Sequence, residues 1–167
     1  MKVTNKHVFF WGGIFSNWEI AEFDAEIGGK KLHFYNSEQY FMYMKAITFG
    51  DKEIAEEILE KGMNPKTAKA LGRKVKNYDD KVWNTKRYQV MVDANYLKFS
   101  QNGNLLKELI SEKYVGKHFC EASPKDQLWG CGLHESDPLI IDENNWQGQN
   151  LLGKVLDEVR SMMLEKL

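Results

Sequence analysis

Cysteine is scarce in this chain, with only Cys120 and Cys131 among 167 residues. Two cysteines exclude a disulfide-framed secreted scaffold and fit a reducing compartment. Proline is nearly as rare, with three residues, and no Pro-, Ser- or Gly-rich linker, internal repeat or low-complexity tract is visible. No apolar run approaches the roughly 20 residues needed to cross a bilayer. Met1 to His7 lacks the apolar region of a signal peptide, so a cytoplasmic location without membrane association is expected. Charge of one sign is also lacking. The net charge is −1, which gives no overall field for a nucleic-acid duplex. His7, His33, His118 and His134 have no metal-ligand spacing with each other or with the cysteines, so no metal site is expected. Gly-x-Gly-x-x-Gly, Walker and Gly-x-Ser-x-Gly sequences are all missing.

Aromatic residues are abundant, at 13% with five tryptophans. They serve either as core or as flat faces on which a nucleobase stacks. Charge is unevenly spread. From Lys61 to Arg87 nine Lys/Arg face only Asp79 and Asp80, a local +7. Such a zone in a near-neutral protein suits a phosphate-bearing small molecule better than a long duplex, although each lysine is equally readable as part of a solvated helix face.

The pattern predicts an α+β fold, a predominantly helical single domain spanning 1–167 with a small antiparallel sheet from the N-terminal third. Val8 to Trp11 is a short apolar run stopped by Gly12-Gly13. Phe23, Ala25 and Ile27 alternate with acids, and Leu32 and Phe34 alternate again after Gly28-Gly29, a hairpin signal. Asn36 with Gln39 reads as a capping box, and Asn64-Pro65 as a cap followed by proline at the first helical position. A helix ended by Gly62 is expected around Ile54 to Leu59. A long helix is expected from about Asp79 to Phe99, with Trp83, Val90, Met91, Ala94 and Leu97 inward. Leu105 to Ile110 reads as another apolar segment, and a short strand is expected around His118 to Cys120. Leu151, Leu152, Val155, Leu156, Val159, Met162 and Met163 mark the last helix.

Chemistry is carried by few residues. Glu121-Ala122-Ser123-Pro124-Lys125-Asp126, followed by Trp129-Gly130-Cys131-Gly132, combines carboxylates, a hydroxyl, an indole and glycines in a loop that either holds a ligand or holds itself together. Glu38 and Lys45 lie seven residues apart on one predicted helix face with Phe41 between them. An acid and an amine on an aromatic face are costly unless they serve a pocket or each other, although Glu38 also suits the helix dipole. Arg73 sits at a helix end inside the basic zone, where guanidinium pairs with phosphate or with solvent. Trp83, at apolar spacing, is core or a stacking platform. Carboxylates, a lysine, aromatic faces and a basic zone together suit glycosidic cleavage. A carboxylate would then steady an oxocarbenium ion or activate water, or a lysine would form a Schiff base with the opened sugar. Glu38, Lys45 and Asp126 are expected to converge on one pocket.

Further residues carry a resemblance. They are Phe10-Trp11-Gly12-Gly13, Phe15-Ser16-Asn17, Ser37 to Tyr43 with Lys45-Ala46, Ala68-Lys69 with Leu71-Gly72-Arg73, and Trp83. Lys98-Phe99, Glu121 to Pro124 with Asp126, Trp129-Gly130, and Trp146 through Gly153 complete the set. Their order and spacing from residue 9 to about 160 resemble the NADAR, or YbiA-like, family. Met44 departs from it where glutamine is common, as do Asp157-Glu158 where an apolar residue is frequent. The resemblance implies an N-glycosidase needing neither metal nor redox cofactor. Its substrate would be ADP-ribose attached to guanine, free or in ADP-ribosylated nucleic acid, or a phosphoribosylamino-pyrimidine intermediate of riboflavin synthesis. It implies catalytic roles for Glu38, Lys45 and Asp126, and substrate contacts from Trp11, Arg73, Trp83, Ser123, Trp129 and Asn150. A non-catalytic ADP-ribose or nucleotide-binding module is the alternative.

Overall fold

A computed structural model describes all 167 residues. In chain order its elements are β1 (Lys2–Val3), β2 (His7–Phe10), β3 (Phe23–Ile27), β4 (Lys30–Phe34), α1 (Ser37–Thr48), α2 (Lys52–Ile58), α3 (Pro65–Gly72), α4 (Asp80–Ser100), α5 (Gly103–Leu109), β5 (His118–Glu121) and α6 (Leu151–Glu165), with short 3-10 turns between β5 and α6 and before β5. Two compact units result. One comprises Met1–Ser16 and Asn104–Leu167, and the other, Asn17–Gly103, is inserted between those segments in the sequence. The helix-dominated α+β class expected from the sequence is present.

The inserted unit contains the expected hairpin. Phe23 pairs with Phe34 and Ile27 with Lys30, and Gly28 and Gly29 supply the positive φ of the turn. Rings of Phe23, Phe34, Tyr40 and Tyr43 pack between the hairpin and α1. Asn36 caps α1 by accepting from the Gln39 N–H at 2.8 Å, and its amide donates to the Met63 carbonyl at 2.9 Å. Gln39 does not close the reciprocal half of the capping box. Its carbonyl accepts from the Tyr35 N–H and its amide donates to the Ile58 carbonyl. Both polar side chains are fully buried and fully used, so they fasten the start of α1 to the end of α2. On α4 the buried residues are Trp83, Met91, Val92, Ala94, Asn95, Lys98 and Phe99. The inward face thus differs from the expected one: Val90 and Leu97 are half-buried, and two polar side chains take interior places.

The other unit holds a sheet in the order β1-β2-β5. β1 pairs antiparallel with β2, and β5, expected as a strand without an assigned partner, lies parallel to β2, with His7 opposite His118 and Phe10 opposite Glu121. A four-residue strand contributed from far along the chain carries no sequence signal for its partner's direction. One apolar cluster contains Phe9, Cys120, Ala122, Cys131, Leu133 and Ile140. Rings of Phe10, Phe15, Tyr114 and Phe119 form another. Helix α6 docks on β5 through Asp157, which accepts from the Phe119 N–H at 3.0 Å. The approach is close enough that a Cβ on Gly153 would lie 2.0 Å from the Phe119 carbonyl oxygen.

Candidate functional site

The inserted unit gathers ionisable groups around the second half of α1. Glu38 is in the first helical turn, almost completely buried, and its N–H donates to the Asn17 carbonyl at 3.1 Å. Asn17 is itself held from α4, where the Asn95 amide donates to its side-chain oxygen at 3.2 Å. Two turns later comes half-buried Lys45. Phe41 and Lys45 are spaced at i and i+4 on one face of α1, and Phe49 follows at its C-cap. Trp83 packs on both of those rings, 5.2 Å from Phe41 and 6.4 Å from Phe49 between centroids. Tyr78 meets Phe49 edge-on at 5.3 Å. The Lys45 Nζ rests 4.5 Å from the centre of the Tyr78 ring.

Burial pushes the Lys45 amine below the usual lysine range. Asp80 and then Glu38 oppose that by favouring the ammonium, and Arg73 reinforces it by repulsion. Glu38, Arg73, Lys45 and Asp80 are therefore electrostatic neighbours, drawn from α1, the end of α3 and the start of α4. Gly72 helps bring Arg73 there. A Cβ at this position would meet the Met42 Sδ at 2.0 Å, so a larger residue would displace the Met42 side chain packed between α3 and α1. Arg73 is exposed at the C-cap of α3. Trp83 is only 4% exposed, so its indole acts chiefly as packing on Phe41 and Phe49. Tyr78 and Asp80 were not selected from the sequence. The available signal was that Asp79 and Asp80 are the only acids in the basic zone, one of them needed as the α4 cap.

In the other unit the polar loop is held by its own groups. The Asp126 Oδ1 accepts from the N–H groups of Leu128 at 3.0 Å and Trp129 at 2.8 Å. The segment from Gln127 to Cys131 is bonded along its length to the segment from Gln147 to Leu152, including Gln149 N to the Gln127 carbonyl and Leu152 N to the Trp129 carbonyl. The Asn150 side chain accepts from Glu121 N and donates to the Phe119 carbonyl, both at 3.0 Å, and its backbone is left-handed at φ 51°. Both ends of that amide are thus committed to β5. Ser123 is buried and Trp129 half-buried. Trp11 is 56% exposed, set edge-on to His134 at 5.4 Å, and it lines a cavity of about 570 Å³ with Phe10, Gly12, Gly13, Leu105 and Glu108. Glu38, Lys45, Arg73 and Trp83 belong to the inserted unit, and Trp11, Ser123, Asp126, Trp129 and Asn150 to the other.

Residues 9–164 match the model of the NADAR domain. The chain belongs to the NADAR family. It is 39% identical over 166 residues to a protein of Acanthamoeba polyphaga mimivirus named N-glycosidase R617, covering 94% of this chain and 96% of that one. It is 47% identical over 139 residues to Protein irg-1 of Caenorhabditis elegans, covering 82% of this chain and 64% of that relative. N-glycosidase YbiA of Escherichia coli is 30% identical over 151 residues, covering 90% and 81%. The NMR structure of E. coli YbiA superimposes with a TM-score of 0.74 at 26% identity, covering 99% of this chain and 89% of that one. The YbiA-like architecture is therefore shared over nearly the whole NADAR chain, and no helix in it is long and apolar enough to cross a membrane.

Proposed function

We propose that this NADAR protein is an N-glycosidase that hydrolyses the bond between a nucleobase-type nitrogen and C1 of a phosphorylated ribose, with Lys45 as the reactive amine. The observation that carries this reading is the Lys45 setting: a half-buried amine on an aromatic wall, its proton affinity lowered by burial, with Glu38, Asp80 and Arg73 in electrostatic reach. A module that only binds ADP-ribose has no need of such an amine. The names of two relatives, N-glycosidase R617 and N-glycosidase YbiA, point the same way.

Hydrolysis adds water across the C1–N bond, so the base leaves with hydrogen on nitrogen and C1 gains oxygen. On the imine route the neutral Lys45 amine bonds to C1 as the C1–N bond breaks. The departing base takes a proton from a carboxylic acid. Ring opening moves the amine proton to the ring oxygen and leaves a protonated imine, which water hydrolyses to free lysine and sugar. Glu38, buried on the same helix as Lys45, steadies the positive charge that develops. Exposed Arg73 suits a phosphate through its planar fork.

The deciding experiment incubates the protein separately with ADP-ribosylated guanosine and with a phosphoribosylamino-pyrimidine, and follows released sugar by mass spectrometry. Release from one identifies the substrate class, and release from neither overturns the reading. Borohydride added during turnover should fix a sugar adduct on Lys45. Without an adduct, and with Lys45→Arg still turning over, water attack on an oxocarbenium ion replaces the imine route.

A further inference from the structure

We propose that Tyr78 and Asp80 are positioning residues for Lys45: the Tyr78 ring seats the amine, and Asp80 fixes that ring through the phenol. This inference rests on the reading of Lys45 as the reactive amine.

The argument starts with the segment between α3 and α4. Five residues connect Arg73 at the C-cap of α3 to Asp79 at the N-cap of α4. They are pinned rather than loose. The Lys76 N–H donates to the Asp51 Oδ2 at 2.9 Å, while the other oxygen of Asp51 caps α2 through the Ile54 N–H. Val75 is buried. Asn77 takes the left-handed conformation at φ 63°, which few non-glycine residues adopt and asparagine tolerates best. That turn sends the next residue, Tyr78, back against the C-terminal half of α1.

Tyr78 is 43% exposed, yet three contacts fix its ring. Its edge meets Phe49 at 5.3 Å, its hydroxyl donates to the Asp80 Oδ1 at 2.5 Å, and its face lies 4.5 Å from the Lys45 Nζ. A tyrosine serving only to cover α1 needs no hydrogen bond to a carboxylate, and a helix-start carboxylate needs no phenol, since Asp79 already caps α4. The ring face attracts the ammonium electrostatically, so it sets where the amine waits. Asp80 favours the charged form, as does Glu38 from α1, while Arg73 from the α3 end and burial favour the neutral amine. The dyad thus holds the ammonium in one place, while burial and Arg73 keep its proton affinity below the usual lysine range.

Three variants separate these parts. Tyr78→Phe keeps the ring and loses the tie to Asp80. Tyr78→Leu loses the ring. Asp80→Asn keeps a hydrogen-bond acceptor and loses the charge. Lys45 titration is read directly on the full-length protein, as the pH dependence of acetylation at Lys45 quantified by peptide mass spectrometry, with no substrate present. Asp80→Asn should shift the midpoint downward by about 0.5 pH unit, the size of a partly solvated charge interaction. The low-pH limb of kcat should move with it. Tyr78→Leu should lower kcat by roughly 10- to 100-fold through misplacement of the amine, with KM changed much less. Tyr78→Phe should lie between wild type and Tyr78→Leu.

An unmoved Lys45 titration in Asp80→Asn, or Tyr78→Leu with wild-type kcat in a folded protein, overturns the proposal. The two readings fail separately. If no sugar adduct forms on Lys45 while its titration still shifts, the assignment of Lys45 as the nucleophile fails and the dyad's hold on the amine stands. If the adduct forms and none of the variants alters titration or kcat, the dyad fails alone.

Discussion

Lys98 offers a quantitative test of how the inserted unit is built. Its side chain is fully enclosed on α4, and burial pushes its pKa down to about 7 against the raising influence of Glu19. An unfolded lysine titrates near 10.4. Between about pH 7 and that value the unfolded chain holds a proton that the folded chain lacks, so stability rises with pH. Below the folded value both states are protonated, and the penalty for burying the charge is constant and at its largest. A single such group contributes a slope of about 1.4 kcal/mol per pH unit where the two states differ fully. From pH 7.5 to 9 this amounts to roughly 2 kcal/mol of gained stability.

The perturbation is Lys98→Met, which keeps the stem volume and removes the titration. The assay is urea unfolding followed by tryptophan fluorescence at pH 7.5, 8.25 and 9 and constant ionic strength. The quantity that matters is how the wild-type stability minus that of Lys98→Met changes with pH. Lys45 and both cysteines are present in both proteins and cancel in the subtraction. A rise of about 2 kcal/mol across the range is expected. A difference independent of pH refutes the reasoning, because it means Lys98 exchanges its proton alike in both states. The residue also matters to the site: with Asn95 it supports the face of α4 beside residues 17–19, and the Asn17 carbonyl receives the Glu38 N–H.

The remaining predictions concern the candidate site and its scaffold. Trp83→Ala should cost about 3–5 kcal/mol in chemical denaturation, as expected for a buried aromatic packed on Phe41 and Phe49; a loss below ~1 kcal/mol would point to a ring freed for ligand. Gly148→Ala should lower the melting temperature sharply, because the new Cβ would lie 2.3 Å from the Gly130 carbonyl oxygen, and backbone on both sides must move. Arg73→Lys should raise KM more than it lowers kcat, since the charge stays and the fork is lost; unchanged KM with collapsed kcat would contradict a phosphate role. Asp126→Asn keeps the acceptor for the Leu128 and Trp129 N–H groups and should leave the melting temperature nearly unchanged. If Asp126 transfers protons, kcat should fall by roughly 100-fold, whereas retained turnover would leave it as the loop's anchor alone.

Local features were the most legible in the sequence. Asn36 and Asn64 each cap the helix that follows, as read, because a cap is a contact between a side chain and a backbone N–H three residues on. The Gly28-Gly29 hairpin and the shared face of Glu38 and Lys45 follow from equally short spacings. What sequence spacing did not resolve depends on partners far along the chain. The parallel pairing of β5 with β2, the burial of Lys98 and Asn95, and the use of Gln39 to bond Tyr35 and Ile58 are all of this kind. Tyr78 is the most instructive residue. Its neighbours in sequence are an asparagine and two aspartates, which read as a polar turn ahead of a capped helix, and nothing local marks it as facing Lys45, 33 positions earlier. Its place depends on two distant constraints, the Asp51 carboxylate holding Lys76 and the left-handed turn at Asn77. Cutting the first should therefore act on the second end of the chain of contacts. Asp51→Ala removes an α2 cap worth about 1 kcal/mol, and it also releases the segment that carries Tyr78. Its effect on kcat should accordingly resemble that of Tyr78→Leu, with KM changed much less, although Asp51 itself is placed at the start of a different helix.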